Sequence, residues 1–177
     1  MLPRIESQSA IRYRYKQNHI DGPDITLSKN GVVMVAIECK ATKLTFEAQF
    51  SDNPEIEAEG KLLELSKGVL QLWKFFARVR SGVIYHYTCA IECMGVVLAL
   101  DRWVMLPDAL LGSVFQKAHE LADQEGIGRS DRSPVIISTA QELEGLLSWA
   151  DEDEEDVFAT LQAATEARYF GWMLPQI

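Results

Sequence analysis

Pro23-Asp24-Ile25-Thr26, a reversal at Ser28-Lys29-Asn30-Gly31, and the run Val32-Val33-Met34-Val35-Ala36-Ile37-Glu38-Cys39-Lys40 form the stretch whose reading decides the fold. Asn and Gly tolerate the positive φ that hairpin turns require, so Asn30-Gly31 predicts two antiparallel strands. Two registers fit the sequence. A two-residue Asn30-Gly31 loop sets Asp24 opposite Ile37 and sends Glu38 to the other face, because facing alternates along a strand. A three-residue loop with Gly31 as a G1 bulge sets Asp24 opposite Ala36 and puts Asp24, Glu38 and Lys40 on one face. In that second register Asp24 and Glu38 are diagonal neighbours roughly 7–8 Å apart, and one divalent cation fits between them.

Val32 to Ile37 is apolar on both faces, as in a central strand covered on two sides. Glu38 and Lys40 break the pattern only at its end. A lone buried carboxylate is strongly disfavoured, so Glu38 needs a partner. An ion pair of Lys40 with Glu38 or Asp24 at a sheet rim accounts for each residue taken singly. Pro-Asp, the hairpin spacing and Glu-x-Lys taken together favour a metal site.

Pro23-Asp24 followed, after a hairpin, by Glu38-Cys39-Lys40 resembles the PD-(D/E)XK nuclease superfamily, the restriction-endonuclease-like fold, over about residues 12–101. The resemblance implies a Mg²⁺-dependent nuclease that hydrolyses DNA, with Mn²⁺ as a substitute. It assigns the cation to Asp24, Glu38 and the backbone carbonyl of Cys39, and gives Lys40 the task of orienting or activating the attacking water. Similar families place a Gln on the following helix, and Lys67-Gly68-Val69-Leu70-Gln71-Leu72 resembles that segment, which adds Gln71 to the site. Superfamily members usually carry a further acid on a helix before the first strand. Only about ten residues precede the strand expected at Ile11–Lys16, too few for a full helix, and Glu6 is the one acid there.

The chain has 177 residues, is 47% hydrophobic and carries a net charge of −9. That length suffices for one domain, residues 1–177, burying roughly 70% of its unfolded surface; its core spans about 11–138 and a helical segment about 139–177. The charge is unevenly spread. Residues 1–80 hold 12 Lys+Arg against 10 Asp+Glu, a net of +2, and residues 81–177 hold 5 against 16, a net of −11. The half bearing the candidate site is the one able to approach phosphates. Three cysteines, Cys39, Cys89 and Cys93, in apolar contexts and no signal-like leader predict a reduced, cytoplasmic protein. The longest apolar stretch, Val83 to Leu100, is interrupted by His86 and Glu92, which argues against a membrane partner.

Ile11-Arg12-Tyr13-Arg14-Tyr15-Lys16 alternates with period two and reads as a strand, either a charge-protected edge or a basic face whose Arg12 and Arg14 meet phosphates. Asp52-Asn53-Pro54 opens a helix over about 57–80 with Leu62, Leu65, Val69, Leu72, Trp73, Phe76 and Val79 inward. Lys67, Gln71, Lys74 and Arg78 share another face of it, a solvated surface or a DNA contact. Val83–Asp101 reads as a strand with an irregularity between Glu92 and Gly95, since its length exceeds a usual strand. His86 between two tyrosines reads as structural, and neither His19 nor His119 has a nucleophile and acid around it. A helix over Pro107–Gln124 ends at Gly126 and Gly128. Pro134–Ser138 is a last buried strand, Thr139 with Glu142 a capping box for a helix to Trp149, and Val157–Phe170 a final helix behind the acidic run Asp151–Asp156.

This order predicts an α/β fold: a mixed central β-sheet flanked by helices on both faces, restriction-endonuclease-like and lacking the leading helix. The expected function is DNA phosphodiester hydrolysis with Mg²⁺. The alternative is a catalytically inactive nuclease-fold subunit that binds a protein or nucleic-acid partner. The C-terminal helices offer a surface for a homodimer or a partner protein.

Overall fold

The structure, a computed structural model, describes residues 5–9, 12–15, 18–42, 51–100, 108–149, 154–170 and 174. Strands β1 (Ile5–Ser9), β4 (Ile25–Lys29), β5 (Val32–Lys40), β6 (Thr88–Ala99) and β7 (Val135–Thr139) form one sheet in the order β1-β4-β5-β6-β7. β1 pairs antiparallel with β4 and β4 antiparallel with β5, whereas β6 lies parallel to β5 and β7 parallel to β6. β4 and β5 are joined by a tight turn at Asn30-Gly31, whereas residues 10–24 separate β1 from β4. Each parallel pair needs a long crossover, supplied by helices α1 (Pro54–Arg80) and α2 (Asp108–Gln124). Helices α3 (Ala140–Trp149) and α4 (Glu154–Ala164) follow β7.

The sheet is mixed and covered on both faces, the α/β architecture its sequence predicts. On one face Val33, Ala36, Val97 and Ala99 meet Leu65, Val69, Leu72 and Phe76 of α1 and Leu110, Val114 and Ala118 of α2. On the other, Leu27, Val35, Ile37, Val96 and Leu98 meet Leu143 and Leu146 of α3 and Val157 and Leu161 of α4. The central strands β5 and β6 are apolar on both sides because both sides are roofed. No helix among the described residues is long and apolar enough to cross a membrane.

Local signals behave as their chemistry dictates. Thr139 and Glu142 form the reciprocal capping box: the Glu142 N–H donates to Thr139 Oγ1 at 3.2 Å, and the Thr139 N–H donates to Glu142 Oε2 at 3.0 Å. Gly126, at φ 72°, ends α2 with the Ile127 N–H returning to the Ala122 carbonyl at 2.9 Å.

Three expectations need correction. The basic stretch around Arg12 and Arg14 is extended but lies outside the central sheet. As β2 (Arg12–Tyr15) it pairs with β3 (Asn18–Asp21) in a separate two-stranded ribbon, and β1 takes the sheet edge. Alternation reveals an extended segment, not its partner, and a partner two residues away in sequence closes the smallest loop. The strand expected from Val83 begins only at Thr88, after a turn in which Gly82 adopts φ 72°. The last helix ends at Ala164, and Ala167–Tyr169 is a separate 3₁₀ turn.

Candidate functional site

The hairpin turn has two residues. Asn30 (φ 54°) and Gly31 (φ 73°) both occupy the left-handed region, as a type I′ turn requires, and Lys29 faces Val32. The three-residue loop with a G1 bulge does not form. Taken alone this would part the two acids, but β5 contains a bulge farther along. Ser28 faces Val33 while Leu27 faces Val35, so Met34 is the additional residue. Val33 therefore points to the α1 face, Met34 and Val35 to the α3/α4 face, and Ala36 back to the α1 face. Beyond the bulge Ile25 faces Ile37, and one further step along the ladder sets Asp24 level with Glu38.

Asp24 stands at the bend before β4, and its Oδ2 accepts the Cys39 N–H at 2.7 Å. The carboxylate thereby terminates the ladder and is fixed by the strand it faces. Glu38 and Lys40 continue the alternation of Ala36 and share its face, where Lys40 Nζ donates to Glu38 Oε1 at 3.0 Å. The same ammonium donates to Gln71 Oε1 on α1. Glu38 is 6% exposed. Burial pushes its carboxyl above the ordinary carboxylate range; the hydrogen bond and charge of Lys40 oppose this, and the charge of Asp24 adds to it. Two acids thus share a site with one resident cation. The Cys39 side chain is exposed, so only its backbone belongs to this cluster.

Gly68 has a role that the motif does not reveal. A Cβ at this position would lie 3.1 Å from Lys40 Cε and 3.1 and 3.3 Å from the two methyls of Val97. The bare helix surface at Gly68 is the groove through which Lys40 reaches Gln71, one turn farther along α1. The available signal was a glycine inside a 27-residue helix, where it costs about 1 kcal/mol relative to alanine and calls for a packing reason. For Gly68→Ala the gain in helix propensity is expected to be cancelled by the Lys40 and Val97 contacts, with no net stabilisation in urea denaturation. Adding Lys40→Ala should restore part of the gain, a coupling of at least about 0.5 kcal/mol. Additive effects would show that Lys40 does not occupy this groove.

The remaining candidates lie elsewhere. Lys67 pairs with Glu64 at 2.7 Å, and Lys74 with Glu125 at 2.5 Å. Arg78 is half-buried near the C-terminal end of α1. Arg12 is exposed on the β2–β3 ribbon, and the side chain of Arg14 is outside the described residues. Glu6 faces Ser28, toward the turn end of β4 and away from Asp24. His119 stacks on Trp73 at 4.8 Å and contacts Arg132 through Nδ1 at 3.0 Å, while Trp73 donates to the Ser133 carbonyl at 2.8 Å. Burial and the neighbouring guanidinium lower the His119 pKa, as for a structural imidazole. His86 lies against Tyr85 in the exposed turn before β6.

Asp24, Glu38 and the Cys39 carbonyl are hard oxygen donors, the chemistry Mg²⁺ selects, and Mg²⁺ commonly takes one or two carboxylates and keeps several waters. The donor set is compatible with that ion. No cluster of three or more His, Cys, Asp or Glu side chains suited to hold a metal occurs among the described residues. No family profile, curated protein or solved structure matches the chain.

Proposed function

We propose that the chain is a Mg²⁺-dependent nuclease of the PD-(D/E)XK kind acting on DNA phosphodiesters. The observation that carries this reading is the convergence of Asp24, Glu38, Lys40 and Gln71 at the end of β5, with one lysine set against two carboxylates. Asp24 and Glu38 would hold the cation, with the Cys39 carbonyl as a third oxygen. When bound, the ion would supply Lewis-acid stabilisation of charge on the phosphate. Asp24 contributes a carboxylate whose direction is set by the Cys39 N–H. Lys40, steered by Glu38 and Gln71, offers an ammonium to orient the attacking water and offset phosphate charge. Gln71 is the positioning residue, accepting from Lys40 and holding it over α1. A cytoplasmic setting belongs to the same reading.

The rival reading is an inactive subunit of the same architecture that binds a protein or nucleic acid. It draws on the small number of acids at the site and on the acidic second half of the chain. Calorimetric titration with Mg²⁺ or Mn²⁺ separates the two. The nuclease reading expects saturable binding that disappears in Asp24→Ala with the fold retained. Absence of binding to the folded wild-type protein would transfer support to the subunit.

A further inference from the structure

The parallel pairing of β5 and β6 is interrupted far from Glu38. Val33 faces Cys89 and Val35 faces Met94, so five intervals of β6 span what two intervals of β5 cover. The surplus, Ala90 to Cys93, leaves the ladder, with Ile91 wholly exposed and Cys93 returning to the core. Such an excursion sets Cys89 and Cys93 at the two ends of a short loop instead of along a regular strand. The Cys93 thiol faces the Met94 carbonyl at 4.0 Å. Each thiol shifts the other: Cys93 lowers the Cys89 pKa, helped by the charge of Arg80 and opposed by burial, while Cys89 and burial together raise that of Cys93.

Both cysteines line an open cleft of about 580 Å³ that also includes Phe76, Arg80, Tyr87 and Ser133. Cys89 is half-buried and Cys93 is buried. Arg80 is held at the cleft by Asp131 at 2.5 Å and by the Ser130 carbonyl. The arrangement has the parts of a reactive dithiol: an accessible sulfur near a fixed cation, and a second sulfur behind it. Cys39 is far along β5 from Val33 and has no thiol partner among the described residues.

We propose that Cys89 and Cys93 form a peroxide-oxidisable pair in which Cys89 is attacked first and Cys93 closes a disulfide across the base of the Ala90–Glu92 excursion. The Cys89 thiolate displaces hydroxide from the peroxide: an S–O bond forms, the O–O bond breaks, and hydroxide takes up a proton as water. The Cys93 sulfur then attacks the Cys89 sulfenic acid; the S–S bond forms, the S–O bond breaks, and a second water leaves with the Cys93 proton. Two thiols lose two electrons and the peroxide is reduced to two waters.

The test is intact-mass analysis of the reduced full chain after hydrogen peroxide treatment. The wild-type chain is expected to lose the mass of two hydrogens, to regain it with dithiothreitol, and to give a Cys89–Cys93 cross-linked peptide. Cys93→Ser should leave Cys89 as a sulfenic acid captured by dimedone, and Cys89→Ser should leave Cys93 reduced. A wild-type chain that shows no such mass loss, or one cross-linked through Cys39, overturns the proposal. So does equal dimedone labelling of the two single variants. None of these readouts involves metal or nucleic acid, so they stand apart from the outcome of the nuclease assays.

Discussion

Lys40→Ala is expected to reduce Mg²⁺-dependent cleavage of plasmid and single-stranded DNA by about 10²–10³-fold, the range for losing one preorganised charge-stabilising group. Asp24→Ala should abolish it, because it removes both the oxygen proposed to hold the cation and the acceptor of the Cys39 N–H. Lys40 also has a structural duty. Its side chain is 15% exposed and that of Glu38 8%, and breaking a buried pair costs about 3–5 kcal/mol when the stranded charge has no escape. Protonation is the escape for Glu38, whose carboxyl is already raised by burial. Without Lys40 it should rise further. A carboxyl with a folded pKa above its unfolded one binds more protons in the folded state between those values, so stability falls as pH increases through that interval. The Lys40→Ala chain should therefore be stabilised relative to wild type on acidification, by thermal denaturation across pH, and its cleavage must be assayed where it is folded. A folded Lys40→Ala chain that cuts as fast as wild type rules out this site.

The second large effect concerns Gly95, where β6 passes between α1 and β7. A Cβ there would lie 2.9 Å from Leu72 Cδ1 and 2.9 Å from Val135 Cγ2. Leu72 is fully buried, and Val135 is β-branched and stiff at χ1 on the neighbouring strand, so neither yields freely. The backbone approach is equally close, with the Gly95 N–H donating to the Pro134 carbonyl at 2.8 Å. Gly95→Ala is expected to destabilise by about 1–3 kcal/mol through overpacking, read as a lowered urea midpoint at unchanged slope. Leu72→Ala alone should cost about 2–5 kcal/mol through its cavity. Combined, the two should cost less than their sum, because the new methyl occupies part of the space the leucine leaves. Strict additivity would show that Gly95 and Leu72 are not in contact.

Much of this was legible in the residues. Asn30-Gly31 marked a hairpin while leaving its turn open between two lengths, the doubly apolar Val32–Ile37 marked a central strand, Thr139 and Glu142 a helix start, and the Glu38–Lys40 contact answers the ordinary demand of a buried carboxylate. What escaped is equally specific. Met34 is apolar among apolar neighbours, so hydrophobicity could not mark it as the bulged residue, and the choice between turn registers omitted the arrangement that formed. Arg12–Tyr15 showed that it is extended, but pairing is a property of two segments and its partner was hidden in the polar Asn18–Asp21. Gly68 looked like a weak point in a helix until Lys40 was seen lying over it. The Ala90–Cys93 excursion left only an overlong strand as its trace, placed a few residues too late.

Met34 also separates two phases of one strand. Before it, the odd-numbered Val33 belongs to the α1 layer; after it, the even-numbered Ala36, Glu38 and Lys40 do. A period-two reading carried from Val32 to Lys40 without that missed beat would assign the acid and the lysine to the opposite layer. Substitution tolerance along β5 should follow the same arithmetic, changing step at Met34, a residue packed in the layer opposite the acid and the lysine whose facing it sets.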